Sequence, residues 1–185
     1  VDTDHSETYF VERLRFLLED AVRLQLRSDV PLGAYLSGGI DSSLVTALAS
    51  RQSGNPLHTF TGRFDEGPEF DESPYARLVA ERCGAQMHLI TPTEADFVEC
   101  MPRLIYHMDE PVAGPGLFPQ FMVSRVAAQH VKVVLGGQGG DEMFGGYRRY
   151  DVMHHLRHRG LEVIGRLLTP VADQVHSRRG DSARS

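Results

Sequence analysis

The chain has 185 residues, and 41% of them are hydrophobic, which is enough for one domain with its own core. The formal net charge of −6 argues against a nucleic-acid-binding protein, which would carry a basic face. No apolar run approaches the roughly 18 residues of a membrane-spanning helix. Cys83 and Cys100 form neither a disulfide framework nor a metal-binding spacing. We therefore expect a cytoplasmic protein with reduced thiols that binds neither nucleic acid nor membrane.

Helix and strand signals alternate along the chain and predict an α/β fold. Apolar residues at helical spacing predict a first helix over residues 7–27. Four strands are predicted over residues 33–36, 58–64, 86–90 and 131–135, and the helices between them over residues 42–52, 73–83, 93–106 and 121–129. This order predicts a parallel sheet of about four to five strands with helices on both faces. Ligands of such sheets bind at the carboxyl ends of the strands.

The two ends of the sequence indicate how far the predicted domain extends. Residues 1–173 are predicted to form one domain, whereas the polar segment 174–185 contains few apolar residues and is predicted to be a disordered tail. Because the sequence begins with Val1 rather than Met, we expect the chain to be part of a longer protein.

The most informative segment is Ser37-Gly38-Gly39-Ile40-Asp41-Ser42-Ser43, between the first predicted strand and the next helix. Its glycines allow the backbone N–H groups to approach an anion, and the positive end of the following helix points to the same place. The three serines add hydroxyl groups, and Asp41 can hold the magnesium that accompanies a polyphosphate. The alternative is a simple turn with a helix N-cap. The whole cluster favours a nucleotide phosphate site.

A second glycine-rich cluster follows the fourth predicted strand, over residues 136–147, and it includes Gly136, Gly137, Gln138 and Asp141. Glycine is costly inside regular elements unless a positive φ or a close backbone approach requires it. The functional interpretation is a loop that wraps the adenosine and the α-phosphate of ATP, with Asp141 completing the metal site opposite Asp41. The alternative is a flexible hinge. The first cluster has neither the Walker pattern nor the dinucleotide-binding pattern.

The first cluster resembles the pyrophosphate loop of the ATP pyrophosphatases, which cleave ATP between the α and β phosphates. Together with Asp29-Val30-Pro31-Leu32-Gly33 and residues 136–147, it resembles the synthetase domain of the glutamine-dependent asparagine synthetases. The resemblance covers residues 9–150, and the motifs at 70–73 and 105–111 fit the same pattern. It implies the adenine nucleotide α-hydrolase-like fold of PP-loop ATPases.

The resemblance also implies an activity. The family adenylates the side-chain carboxylate of aspartate with Mg-ATP and releases pyrophosphate, and ammonia then displaces AMP to give asparagine. Magnesium would be held by Asp41 and Asp141. The pyrophosphate would be bound by Ser37, Gly38, Gly39, Asp41, Ser42 and Ser43, and the nucleotide by Leu36, Gly62, Gly136 and Gly137. The implied partners are small-molecule substrates and a glutaminase domain in the full-length protein, and a homodimer is an open alternative to a monomer.

The sequence departs from the family pattern in several ways. It has no glutaminase domain and ends soon after the second cluster, so we expect this chain alone to be inactive. Gln138 stands where the family usually has an acidic residue, and glutamine cannot act as a base. Gly136 replaces a usual serine. Glu110 is the candidate replacement for the missing carboxylate, although it can equally be a solvated acid beside Pro111. The candidate catalytic residues are thus Asp41, Asp141, Gln138 and Glu110.

Several alternative functions stay open. The same adenylation acts on other carboxylates in β-lactam synthetases and in peptide-cyclising relatives. A non-catalytic nucleotide-binding module is favoured by Gln138 and opposed by the intact first loop. A tRNA sulfurtransferase is disfavoured by the acidic charge and by the lack of a catalytic cysteine pair. The spacing of His154 and His158 fits two residues on one helix face, and a solvated face is favoured over a metal site.

Overall fold

The structure is a computed structural model that describes residues 4–64, 67, 71–109, 114 and 116–158. The chain divides into two compact units, residues 1–138 and 139–185, and each is described by itself. Glu110, the predicted boundary at residue 173 and the predicted tail 174–185 lie outside the described residues. Among the helices that are described, none is both long and apolar enough to cross a bilayer.

The first unit contains a four-stranded parallel sheet with the order β3-β2-β1-β4. Its strands are β1 Leu32–Tyr35, β2 His58–Gly62, β3 Gln86–Ile90 and β4 Val133–Leu135. In the register, Ala34 of β1 lies between Thr59 of β2 and Leu135 of β4. The chain therefore builds outward from β1 in both directions, and such a switch point is where parallel sheets bind ligands. The predicted parallel sheet is confirmed.

Among the described residues, five helices accompany the sheet and two more belong to the second unit. They are α1 Glu7–Gln25, α2 Ile40–Gln52, α3 Ser73–Cys83, α4 Glu94–Met108, α5 Leu117–His130, α6 Gly140–Phe144 and α7 Arg148–His158. Local chemistry sets several of their ends. Thr93 and Asp96 form a capping box at the start of α4, and Gly84 ends α3 with a left-handed φ of 61°.

Some predicted bounds differ from the observed ones. The helix predicted over 121–129 begins at Leu117, because Pro119 falls in the first turn, where its missing N–H costs no helical hydrogen bond. The strand predicted over 131–135 begins at Val133. The N–H of Val131 instead donates to the carbonyl of Ala127 and closes the end of α5.

Hydrophobic side chains fill both faces of the sheet. Ala34 of β1 packs with Val22 of α1 and Leu48 of α2 on one face. On the other face, Phe60 of β2 packs against Val123 of α5. Because successive strand residues point to opposite faces, the central strands are buried on both sides. The predicted placement of helices on both faces is confirmed, and the carboxyl edge of the sheet is left for the glycine-rich loops.

Candidate nucleotide-binding site

The loop between β1 and α2 starts from a firmly held strand end. Leu36 is buried, its N–H donates to the carbonyl of Phe60 at 3.0 Å, and its own carbonyl accepts from Thr61 Oγ1 at 2.7 Å. The neighbouring strand β2 ends one residue later, at Gly62. Leu36, Ser37 and Gly62 thus lie at the same carboxyl edge of the sheet.

Gly38 is required by the shape of this loop. Its φ is +93°, and a Cβ there would lie 2.9 Å from the Glu72 carbonyl oxygen and 2.9 Å from the Ala76 nitrogen. Both contacts are to backbone at the start of α3, which cannot give way as a flexible side chain would. Only glycine combines this conformation with this close approach.

The serine hydroxyls of the loop bond to one another and to its backbone. The Oγ atoms of Ser37 and Ser42 are 2.9 Å apart, and the N–H of Gly39 donates to Ser37 Oγ at 3.2 Å. The hydroxyl of Ser42 also accepts from the N–H of Ser37 at 3.2 Å. In the part of the chain that is described, the buried Oγ of Ser43 has no hydrogen-bond partner. These bonds join Ser37 at the start of the loop to Ser42 in the first turn of α2.

The N-terminus of α2 is open to a ligand. Its N-cap is Gly39, which has no side chain to cap the first turn, and Asp41 lies half-buried within that turn. The unsatisfied N–H groups and the positive end of a 13-residue helix attract anions. Between the strand ends and α2, the loop has the form of an anion cradle.

The second glycine cluster begins against this cradle. A Cβ on Gly137 would lie 2.7 Å from the Ser42 nitrogen and 2.8 Å from the carbonyl carbon of Asp41, so its backbone packs directly on the first turn of α2. Gly136 has more room, because the nearest atom to its Cβ position would be 3.9 Å away. The predicted residues from Leu36 to Ser43, Gly62, Gly136 and Gly137 therefore gather at one edge of the sheet.

In the second unit, residues 140–144 form the short helix α6 within the segment predicted as a loop. A Cβ on Gly146 would overlap Oδ1 of Asp141, so this carboxylate lies against a glycine. The Tyr147 hydroxyl donates to Glu142 Oε1 at 2.6 Å, which lowers the pKa of the Glu142 carboxyl and raises the pKa of Tyr147. Asp41 and Asp141 belong to different units, and their shared magnesium site remains a prediction.

The comparisons with known proteins agree with this arrangement of motifs. Residues 13–184 match the family model described as asparagine synthase. The chain belongs to the asparagine synthase family. The predicted resemblance is therefore confirmed at the level of the family.

This chain is similar to two curated relatives and to one solved structure. A protein of Mycobacterium tuberculosis strain H37Rv, provisionally named a glutamine-hydrolysing asparagine synthetase, is 46% identical over 80% of this chain and 22% of its own length. Amidase chry2 of Gibberella zeae is 36% identical over 77% of this chain and 23% of its own length. The structure of the NH3-dependent NAD synthetase of Campylobacter jejuni, solved with nitrate, superposes on this chain with a TM-score of 0.46 and 16% sequence identity. The match covers 77% of this chain and 61% of the NAD synthetase chain. The chain thus spans about a fifth of the curated relatives' length.

Sequence reasoning missed the residues that position the cradle in this family member. Thr61 is 2% exposed, and its hydroxyl holds the carbonyl of Leu36. The backbone of Glu72 and Ala76 lies directly against Gly38 and limits the space on that side of the loop. A threonine in a buried strand segment is a weak sequence signal, because β-branched residues are common in strands for packing reasons alone.

We expect Thr61→Val to destabilise the protein by about 1–3 kcal/mol, because the buried carbonyl of Leu36 would lose its partner. The matched control is Thr59→Val on the same strand. Thr59 is fully buried, and its Oγ1 has no partner among the described residues, so removing this hydroxyl should be neutral or stabilising. Urea unfolding followed by circular dichroism measures both free energies. Equal losses in the two variants would contradict the positioning role of Thr61.

Two open cavities of the first unit lie away from this loop. Two adjoining cavities of about 440 and 490 Å³ lie between α1 and α2 and share the residues Glu19, Leu48 and Arg51. They are on the flank of α2 rather than at its N-terminus.

Proposed function

We propose that this chain supplies the ATP-binding part of a carbon–nitrogen ligase that adenylates a carboxylate, with aspartate as the first candidate. Ammonia then displaces AMP and forms the amide. The observation that carries the proposal is the loop of residues 37–43 at the switch point of a parallel sheet, seated on the N-terminus of α2. Membership of the asparagine synthase family supports it.

The cradle suits a pyrophosphate leaving group. In adenylation, the bond between the α and β phosphates breaks, and negative charge accumulates on the departing pyrophosphate. Backbone N–H groups at the start of α2 and the hydroxyls of Ser37, Ser42 and Ser43 would stabilise that charge. Because the loop is already held by its own hydrogen bonds, these donors need little reorganisation during the reaction. Leu36, Gly62, Gly136 and Gly137 would line the nucleotide side.

Asp41 fits the role of a magnesium ligand. Asp41 is half-buried in the first turn of α2, and no hydrogen bond or ion pair engages its carboxylate among the described residues. Carboxylate oxygen is the ligand that Mg²⁺ prefers, and Asp141 of the second unit would supply another. The metal would neutralise charge on the phosphates of ATP.

The carboxylate substrate has two candidates. Aspartate is favoured by the family, and ammonia would come from a glutaminase domain of the longer protein. Gln138, in place of the family's usual acid, favours a second candidate, in which the same adenylation acts on another carboxylate.

ATP–pyrophosphate exchange in the full-length protein separates these functions. The panel contains aspartate, glutamate, simple monocarboxylates and a peptide with a free carboxyl terminus. Exchange that depends on aspartate supports asparagine synthesis, and exchange with a different acid supports the second candidate. Saturable Mg-ATP binding without exchange on any carboxylate would overturn the ligase proposal in favour of a nucleotide-binding module.

We expect Gln138→Glu to raise the rate of amide formation at least about tenfold, because a correctly placed base contributes on the order of 10²–10⁴. The control is Gln129→Glu, which makes the same change at an exposed position near the end of α5. Product formation at saturating ATP and ammonia is the measurement. An unchanged rate would assign the basic function to another group, for which Glu110 is the candidate.

A further inference from the structure

Three histidines gather on the face of the sheet that α5 covers. They are His58, the first residue of β2, His88 of β3, and His130, the last residue of α5. His58 Nδ1 lies 2.9 Å from His88 Nε2, and one ring nitrogen from each of the three residues lies within 4.8 Å of the others. None of these residues belongs to the proposed nucleotide site.

The sheet register explains why the three side chains meet. His88 is paired with Phe60, and His58 lies two residues before Phe60 on the same strand. The side chains of His58, Phe60 and His88 therefore point to the same face of the sheet. The helix α5 packs on that face and ends there with His130. His58 opens its strand, whereas Ser37 follows the end of β1. The cluster therefore lies toward the amino ends of the parallel strands, away from the loop at their carboxyl ends.

We propose that His58, His88 and His130 form a binding site for a divalent transition metal, with Zn²⁺ as the best fit. Zinc bound by three imidazoles at 2.0–2.1 Å in tetrahedral geometry requires nitrogen separations of about 3.3 Å. The 2.9 Å between the ring nitrogens of His58 and His88, and the placement of all three ligand atoms within 4.8 Å of one another, are close to that value. Imidazole nitrogen selects zinc, copper and nickel, whereas magnesium and calcium prefer oxygen ligands.

The surroundings favour this ligation. Burial, followed by the neighbouring imidazoles His130 and His58, lowers the pKa of His88 and keeps its ring neutral, which is the form that binds metal. The negative end of α5 at His130 attracts a cation. The ring centroids of His88 and His130 are 4.0 Å apart. His130 is exposed, so its ring has room to turn toward a shared metal and to leave an entry path.

A metal at this position would tie β2, β3 and α5 together and leave a fourth coordination position for water or for another ligand. Because the metal binds only the folded arrangement, it would also stabilise the protein. At a hundredfold excess over its Kd, we expect the thermal midpoint to rise by about 5 °C or more. Lowering the pH should weaken binding, because protons compete for the imidazole nitrogens.

The test is a Zn²⁺ titration of the full chain, without an affinity tag and after treatment with a chelator, in competition with a chromophoric zinc indicator. We expect one Zn²⁺ per chain. His88→Gln and His130→Gln should each lower the affinity at least about tenfold, since even outer-sphere partners of a metal contribute that much. The matched control is His107→Gln on the exposed side of α4, which should bind as the unchanged chain does.

Two results would overturn the proposal. One is the absence of stoichiometric Zn²⁺ binding by the unchanged, folded chain, which would leave the cluster as a stack of neutral rings joined by a hydrogen bond. The other is unchanged affinity in His130→Gln. This variant keeps the test independent of folding, because His130 is exposed while His88 is half-buried. Circular dichroism of each variant verifies that it is folded.

Discussion

Gly137→Ala is expected to weaken Mg-ATP binding at least about tenfold and to lower the free energy of unfolding by about 1–3 kcal/mol. The added Cβ would lie 2.7 Å from the Ser42 nitrogen and 2.9 Å from the Asp41 Cβ. Relief of this overlap requires the end of β4 and the first turn of α2 to move apart. The movement would displace the helical N–H groups and the Asp41 carboxylate, which the proposal assigns to the phosphates and to magnesium.

A glycine outside the proposed site provides the control for this prediction. Gly54→Ala is the same chemical change in the exposed turn after α2, where the added Cβ would meet nothing within 4 Å. This variant should bind and unfold as the unchanged chain does. Isothermal titration calorimetry with Mg-ATP and urea unfolding measure the two quantities. Equal behaviour of the two variants would contradict the close packing of Gly137 on α2 as a determinant of the site.

Asp41→Ala is expected to abolish Mg-ATP turnover in the full-length protein, with a loss of about a hundredfold or more in the rate of pyrophosphate release. The physical reason is the loss of a metal ligand at the place where charge accumulates, since metal stabilisation of such charge contributes several kcal/mol. Asp41→Asn keeps the shape of the side chain and removes its charge. Both variants should retain the fold, because the Asp41 side chain makes no hydrogen bond or ion pair within the described residues.

The control for Asp41 is Glu99→Gln, which removes one negative charge at an exposed position on α4. A change of net charge alone should leave turnover unaffected. Pyrophosphate release is followed at several Mg²⁺ concentrations. Wild-type turnover in Asp41→Ala, or a loss of equal size in Glu99→Gln, would show that the metal assignment is wrong.

The two candidate sites of this chain differ in how their residues are distributed along the sequence. The phosphate cradle is a continuous segment with glycine, serine and aspartate at characteristic spacings, so its chemistry is visible before any folding. The histidine cluster has no local motif, since His58 and His88 are 30 residues apart and His130 lies on a helix rather than a strand. A change at one site should leave the other intact, because they lie toward opposite ends of the strands.

The sequence alone determined the elements whose signals are local. Helix α3 was predicted with its observed bounds of Ser73–Cys83, since Pro74 favours a helix start and Gly84 a left-handed end. Strand β3, Gln86–Ile90, was likewise predicted in full. The α/β class and the family follow from the alternation of elements and from two long motifs. These properties depend on the residue types within each segment and on their spacing.

Only the tertiary structure decided which distant residues touch. Gly137 must be glycine because a Cβ there would overlap the first turn of α2. Gly38 must be glycine partly because a Cβ there would overlap the backbone at the start of α3. The roles of Thr61 and Thr59 differ because the Thr61 hydroxyl donates to the carbonyl of Leu36, whereas the Thr59 hydroxyl has no partner among the described residues. Such contacts arise from strand register and helix packing, which bring together residues that no local pattern relates.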